Sequence, residues 1–129
     1  GRRSGTASTG SAVRGARSTP APGCQALVMV AGDRSPEDLL ADVQLGLFVQ
    51  SFNGLHSGVN PVSGDFSVGA DGLMIRAGAV AEPVRELTLA STLQRLLLGI
   101  VAVGDDLDWR SGGTAAATMV IGDVSMSGS

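Results

Sequence analysis

The sequence contains no lysine and no tyrosine, and its 129 residues include one tryptophan, three phenylalanines, one histidine and one cysteine. Each scarcity removes a class of function. His56 and Cys24 are alone of their kind, so they cannot supply the donor set of a zinc site, and one loop histidine does not make a nucleophile–histidine–acid arrangement. A single cysteine forms no internal disulfide, which suits a reducing cytoplasm. With so few aromatics, the core has to be built from Leu, Val, Ile and Ala. No apolar run approaches the roughly 18 residues that a membrane-spanning helix needs, and no charged-then-apolar signal segment is seen. The expectation is a cytoplasmic protein with no membrane partner.

All nine basic residues are arginine, which reads as the codon usage of a GC-rich genome rather than a binding signature. Hydrophobic residues make up 43% and charged residues 16%, a balance that excludes disorder over most of the chain. The length suffices for one domain around one core. Nineteen glycines favour turns and short strands over a helical bundle. Residues 1–22 hold Arg2, Arg3, Arg14 and Arg17 and no acid, whereas the remainder holds five arginines and all twelve acids. A basic head without interleaved aromatics on an acidic body argues against nucleic acid as a partner.

Along the chain, residues 1–22 are dense in Gly, Ser, Thr and Pro and read as a loop or flexible arm, leaving residues 23–129 as the folded domain. Gln25–Ala31 suits a buried strand. Ser35-Pro36-Glu37-Asp38 is a helix start, with a capping hydroxyl, proline at the first helical position, and two acids facing the positive end of the dipole. Leu39, Leu40, Val43 and Leu47 then recur at helical spacing, with Gly46 as the stop. Leu47–Phe52 reads as a strand and Asn53–Gly64 as an irregular loop. Strands are expected at Asp65–Ala70, Leu73–Arg76 and Ala79–Val84, with turns at Asp71-Gly72 and Ala77-Gly78. A second helix capped by Ser91 carries Leu93, Leu96, Leu97 and Ile100 on one face, and the leucine faces of both helices are expected in the core. Val101–Val103 leads into the acidic turn Gly104-Asp105-Asp106, residues 108–116 read as loop, and Thr118–Met126 as a last strand. Strands interrupted by two short helices give an α+β class with mainly antiparallel sheet, in one or two packed sheets.

Four segments taken together, GRRSGTASTGSAVRG, SPEDLLADVQLGLFVQ, GLHSGVNPVSGDFSVGADGLMIRAG and AEPVRELTLASTLQRLLLGIVAVGDDL, resemble the C-terminal part of TldE/PmbA proteins, in order and over essentially the whole chain. The older name for these proteins is modulator of DNA gyrase. The most specific piece is Gly54–Phe66. The chain opens on Gly rather than Met, in mid-pattern, and reads as a fragment of a longer protein. The resemblance implies a two-subunit cytoplasmic peptidase acting on unfolded peptides. Its TldD-like subunit holds a zinc-type metal on a His-Glu-x-x-x-His helix, completed by a Cys in the loop after a Val-Gly-Asn-Asp-Leu segment. The matching stretch here, Val103-Gly104-Asp105-Asp106-Leu107 followed by DWRSGGTAAAT, contains no Cys, His or Glu. The resemblance therefore implies the non-catalytic subunit, with no cofactor in this chain and the metal in the TldD-like partner. Two alternatives stay open: a homodimeric metallopeptidase with its own upstream His-Glu-x-x-x-His helix, and a nucleic-acid or gyrase-interacting module.

The candidate groove residues are Arg2, Arg3, His56, Ser57 and Asn60. His56 is either a loop residue held by hydrogen bonds or a contact to partner or peptide. Asn60-Pro61, with Gly54, Gly58 and Gly64, shapes a tight turn. Arg2-Arg3 is either a solvated loop end or a fork for a peptide carboxylate. Asp105 and Asp106 are adjacent and point apart on a strand, so they make a poor catalytic pair; one is expected to cap a turn. Cys24 has no nearby basic pair to activate it.

Overall fold

The structure is a computed structural model that describes residues 5, 7, 10–24, 27–110 and 114–128. The chain divides into two compact units, one of Gly1–Val30 with Leu107–Ala116, the other of Ala31–Asp106 with Ala117–Ser129. In chain order the elements are β1 (Ala12–Val13), β2 (Ala21–Pro22), β3 (Leu27–Val28), α1 (Pro36–Ala41), β4 (Leu45–Asn53), β5 (Asp65–Arg76), β6 (Ala79–Thr92), α2 (Leu93–Leu98), β7 (Ile100–Val103), β8 (Asp108–Arg110), β9 (Thr114–Ala116), β10 (Met119–Ile121) and β11 (Ser125–Ser127). Nearly all the pairing is antiparallel, and the class is α+β as the sequence implies.

The larger unit is organised by a four-stranded antiparallel sheet in the order β11-β6-β5-β4. Its long central hairpin, β5–β6, turns at Ala77-Gly78, where both residues have positive φ, 50° and 76°. That combination matches the right-handed twist of the flanking strands. The turn is anchored, because the Ala77 and Gly78 amides donate to the carbonyls of Gln44 and Val43, each at 2.8 Å. A Cβ on Gly78 would lie 2.4 Å from the Ala41 carbonyl oxygen, so glycine is required there by both φ and space. One face of the sheet carries the core of Val68, Ala70 and Leu89, against which Leu47, Val49, Val59, Phe66 and Val124 pack. Burying each Val or Leu of this kind contributes about 1.5–3 kcal/mol.

α1 starts as the sequence predicts. Ser35 Oγ accepts from the Asp38 amide at 3.2 Å, and Pro36 occupies the first turn. The helix buries Leu39. It ends at Ala41 with Asp42 as cap, so Gly46 is a residue of β4 and not the helix stop. Arg34 Nη2 donates to the Asp38 carbonyl and to Asp42 Oδ2, which ties the two ends of α1 together.

Other expectations are corrected. Asp71-Gly72 lies inside β5, because the pairing slips by one residue there and the chain continues as a bulge. β6 runs on through Ser91, and the helix cap is Thr92, whose Oγ1 accepts from the Arg95 amide. α2 buries none of its residues; Leu93 is 43% and Leu97 65% exposed, so its leucine face is not core. Helical spacing reports a common face and not what covers it. The final strand divides into β10 and β11 at Asp123, which has φ 57°. β10 pairs antiparallel with β7.

In the smaller unit, Leu27–Val28 is a two-residue strand, exposed rather than buried, that pairs in parallel with β9. Residues 108–110 and 114–116 are strands β8 and β9, antiparallel to one another, and not loop. β1 and β2 pair antiparallel, Ala12 opposite Pro22 and Val13 opposite Ala21.

Candidate functional site

The segment between β4 and β5 is a folded loop whose backbone accounts for most of its own hydrogen bonds. The Ser57 and Gly58 amides both donate to the Gly54 carbonyl, at 3.2 and 2.7 Å. Gly54 and Gly64 sit at φ 77° and 81°, in the left-handed region that a side chain would strain. The Gly58 carbonyl accepts from the Ser67 amide at 2.8 Å, and Val59 bridges Phe66, so the loop lies back along the start of β5.

Asn60 holds the second half of the loop. Its amide donates to the Asp65 carbonyl, its carbonyl accepts from Gly64, and its Oδ1 accepts from the amides of Val62 (2.9 Å) and Ser63 (3.3 Å). A short polar side chain that caps the amides two and three residues ahead is a local turn device. Ser63 Oγ donates to Asp65 Oδ2 at 2.6 Å, and Gln94 Nε2 from α2 donates to the Ser63 carbonyl. Proline and glycine within the loop, together with this bonding, leave little conformational freedom.

The result is a shallow depression of about 510 Å³, lined by Ser57, Gly58, Val59, Asn60, Pro61, Asp65, Phe66 and Ser67 and open to solvent. Ser57 and Asn60 are therefore brought together on one surface. His56 is exposed in the adjoining turn, outside that lining, and among the described residues its side chain has no hydrogen-bond partner. Arg2 and Arg3 lie outside the described residues. Two contributors are not recognisable in the sequence: Asp65, which lines the depression, and Gln94, which reaches the loop from 31 residues away. No local pattern marks either, because both depend on the β5–β6 pairing.

The acidic turn after β7 is the second region of chemical interest. Asp106 Oδ1 accepts from the Thr118 amide at 2.9 Å and Oδ2 from the Thr118 hydroxyl at 2.6 Å. These bonds, the hydroxyl's foremost, hold the Asp106 carboxyl below the usual carboxylate range. Asp106 is thus the capping member of the pair, and Asp105 is exposed. Among the described residues no three His, Cys, Asp or Glu side chains gather as metal ligands. The stretch 103–118 offers only aspartates, one of them committed to Thr118, so its donors do not fit a zinc-type ion that favours imidazole and thiolate.

A third polar node lies across β4, β5 and β6. Asp71 accepts from the Glu86 amide (2.9 Å), Asn53 Nδ2 (3.0 Å) and Ser51 Oγ (3.3 Å). The Glu86 amide leads in holding the Asp71 carboxyl below its ordinary value. Glu86 has φ 57°, and the node pins that strained residue at the bulge. This is a structural role.

The profile of the PmbA/TldA metallopeptidase C-terminal domain matches residues 1–128. Over 73 residues the chain is 42% identical to a metalloprotease PmbA homolog of Haemophilus influenzae, covering 57% of this chain and 16% of that protein. Over 75 residues it is 37% identical to metalloprotease PmbA of Escherichia coli O157:H7, covering 58% of this chain and 16% of that protein. The fold superposes on TldE from Thermococcus kodakarensis with a TM-score of 0.82 at 27% identity, over 97% of this chain and 29% of that one. The aligned part is thus about one sixth of the length of the curated relatives. A match along nearly the entire sequence, with the same fold in a solved relative, establishes that this chain belongs to the PmbA/TldD family and corresponds to its metallopeptidase C-terminal domain.

Proposed function

We propose that the chain is the non-catalytic C-terminal domain of a TldE/PmbA-like subunit that partners a metal-bearing TldD-like subunit in a cytoplasmic peptidase complex. The complex degrades or matures unfolded peptides. The observation that carries this reading is the stretch 103–118. It has no Cys, His or Glu, and its Asp106 carboxylate is spent on Thr118. A domain so built supplies wall and interface, while the zinc-type metal and the water it activates belong to the partner. The likeness to TldE over 97% of the chain supports the same assignment.

The depression beside Gly54–Gly64 is the surface that this reading assigns to the partner or the peptide. Its backbone is stiff, so contacts there lose little conformational entropy on binding. An extended peptide is recognised through main-chain hydrogen bonds with little demand on its sequence. Ser57 and Asn60 are the polar contacts at this surface, with His56 in the adjoining turn. Arg2-Arg3 is a separate candidate, a fork for a peptide carboxylate.

The rival reading is a homodimeric metallopeptidase, to which the name metalloprotease carried by the curated relatives lends support. Reconstitution separates the two. The full-length subunit, incubated with an unfolded peptide, should leave it intact until a TldD-like subunit is added, and the two should then co-elute. Cleavage by the subunit alone would reverse the assignment.

A further inference from the structure

The chain has two asparagines, and the residues that follow them differ in a way that decides their chemistry: Asn53 precedes Gly54, and Asn60 precedes Pro61. A backbone amide nitrogen can attack the carboxamide carbon of the asparagine before it. Proline has no amide hydrogen to lose, so this route is closed to Asn60. Glycine leaves it most open, because no Cβ crowds the five-membered ring that forms and its backbone turns freely.

The structure keeps the nucleophile free and ties down its target. Asn53 is the last residue of β4 and Gly54 opens the loop, both exposed. Gly54 sits at φ 77°, with nothing within 4 Å of the place a Cβ would take. Its carbonyl is bonded, but among the described residues no carbonyl takes its amide hydrogen. The Asn53 carboxamide, by contrast, donates from Nδ2 to Asp71 Oδ2 at 3.0 Å. Asp71 is itself fixed by the Glu86 amide and Ser51 Oγ. Turning toward the Gly54 nitrogen costs the carboxamide a charge-assisted hydrogen bond.

We propose that Asn53-Gly54 is a deamidation site whose rate Asp71 restrains. The Gly54 N–H gives its proton to solvent base, the nitrogen bonds to Asn53 Cγ, and the Cγ–Nδ2 bond breaks. Nδ2 takes a proton from water and leaves as ammonia. Water then opens the succinimide at either carbonyl, leaving aspartate or isoaspartate at position 53. The product withdraws a donor from Asp71 and sets a second carboxylate beside it, where like charges repel. Isoaspartate also adds a carbon to the main chain where Asn53 pairs with Gly69, the last pair between β4 and β5. Conversion therefore loosens both the Asp71 node and the entry to the Gly54–Gly64 loop. None of this depends on the subunit role proposed above.

The test holds the whole protein in mildly alkaline buffer, folded and in denaturant, and follows it by peptide-mapping mass spectrometry. The folded protein should convert at position 53 to aspartate and isoaspartate together, several-fold more slowly than the denatured chain, with Asn60 unchanged in both. Asp71→Ala, checked to be folded at the incubation temperature, should convert faster than wild type. Should that variant unfold, the folded and denatured rates of the wild type still test the restraint. Asn53→Asp, which stands in for one product, should melt below wild type. A position 53 that stays intact in the folded protein while the denatured chain converts would overturn the proposal. So would equal folded and denatured rates, a folded Asp71→Ala no faster than wild type, or an unchanged melt for Asn53→Asp.

Discussion

Asp106 and Thr118 bracket residues 107–117 and are joined twice, the carboxylate taking both the amide and the hydroxyl of the threonine. The Gly104 amide adds a third tie at 2.7 Å, to the Thr118 carbonyl. A sequence reading expects a capping aspartate at this turn but cannot say which residue it caps. The partner is 12 positions away, and only the folded chain names it.

This clasp predicts an acid sensitivity. The Asp106 carboxyl is held below its ordinary value in the folded chain, so its stabilisation is fully present above the unfolded value of about 3.9. It is lost as the pH falls below that and through the lowered folded value. Asp71 and Glu82 have the same sign, from the Glu86 amide and from Arg76 respectively. Thermal melts between pH 7 and pH 2 should therefore show stability falling mainly below pH 4, and Thr118→Val should flatten that fall. An unchanged acid limb in Thr118→Val would mean that the clasp does not set the acid sensitivity.

At the β5–β6 turn, Gly78→Ala forces a Cβ against the Ala41 carbonyl and a side chain into positive φ. The φ penalty alone is about 1–2 kcal/mol, and the collision adds to it. A clear drop in Tm is expected, larger than for Ala77→Gly, which should be neutral or stabilising. Equal melts for Gly78→Ala and wild type would mean that the turn is not as described.

The two candidate polar contacts of the loop should separate on mutation. Asn60→Ala removes the acceptor for two amides and should cost about 1 kcal/mol of stability. His56→Ala touches no described hydrogen bond and should leave Tm unchanged while weakening assembly with a TldD-like partner or peptide turnover. If His56→Ala lowers Tm instead, or assembles and turns over peptide like the parent, its role is structural.

Limited trypsin treatment addresses residues 1–22. They offer little apolar surface to offset ordering entropy, and β1–β2 contributes only two exposed residue pairs. Cleavage at Arg14 or Arg17 under native conditions, with a stable remainder, is expected. Resistance at both would make the segment an integral part of the fold.

Local chemistry was the legible part of the sequence. The Ser35-Pro36 helix start, the Ala77-Gly78 turn and the irregular Gly54–Gly64 loop are each set by residues within a few positions, and each stands where it was read. The misread elements depend on distant partners. Asp71-Gly72 looks like a turn until Ser51, Asn53 and Glu86 converge on Asp71 and carry the strand through as a bulge. Gly46 looks like a helix stop until pairing opposite Ile75 makes it part of β4. Leu93, Leu96 and Leu97 look like core because apolar spacing cannot tell a covered face from an open one.

On the proposed function the metal lies in the partner and not in this subunit. Metal analysis of the purified full-length subunit, made without its partner, is the most direct measurement. No stoichiometric zinc and no chelator-sensitive hydrolysis of unfolded peptide are expected. One tightly held ion per chain, with peptidase activity that co-purifies and is lost to chelator, would contradict it.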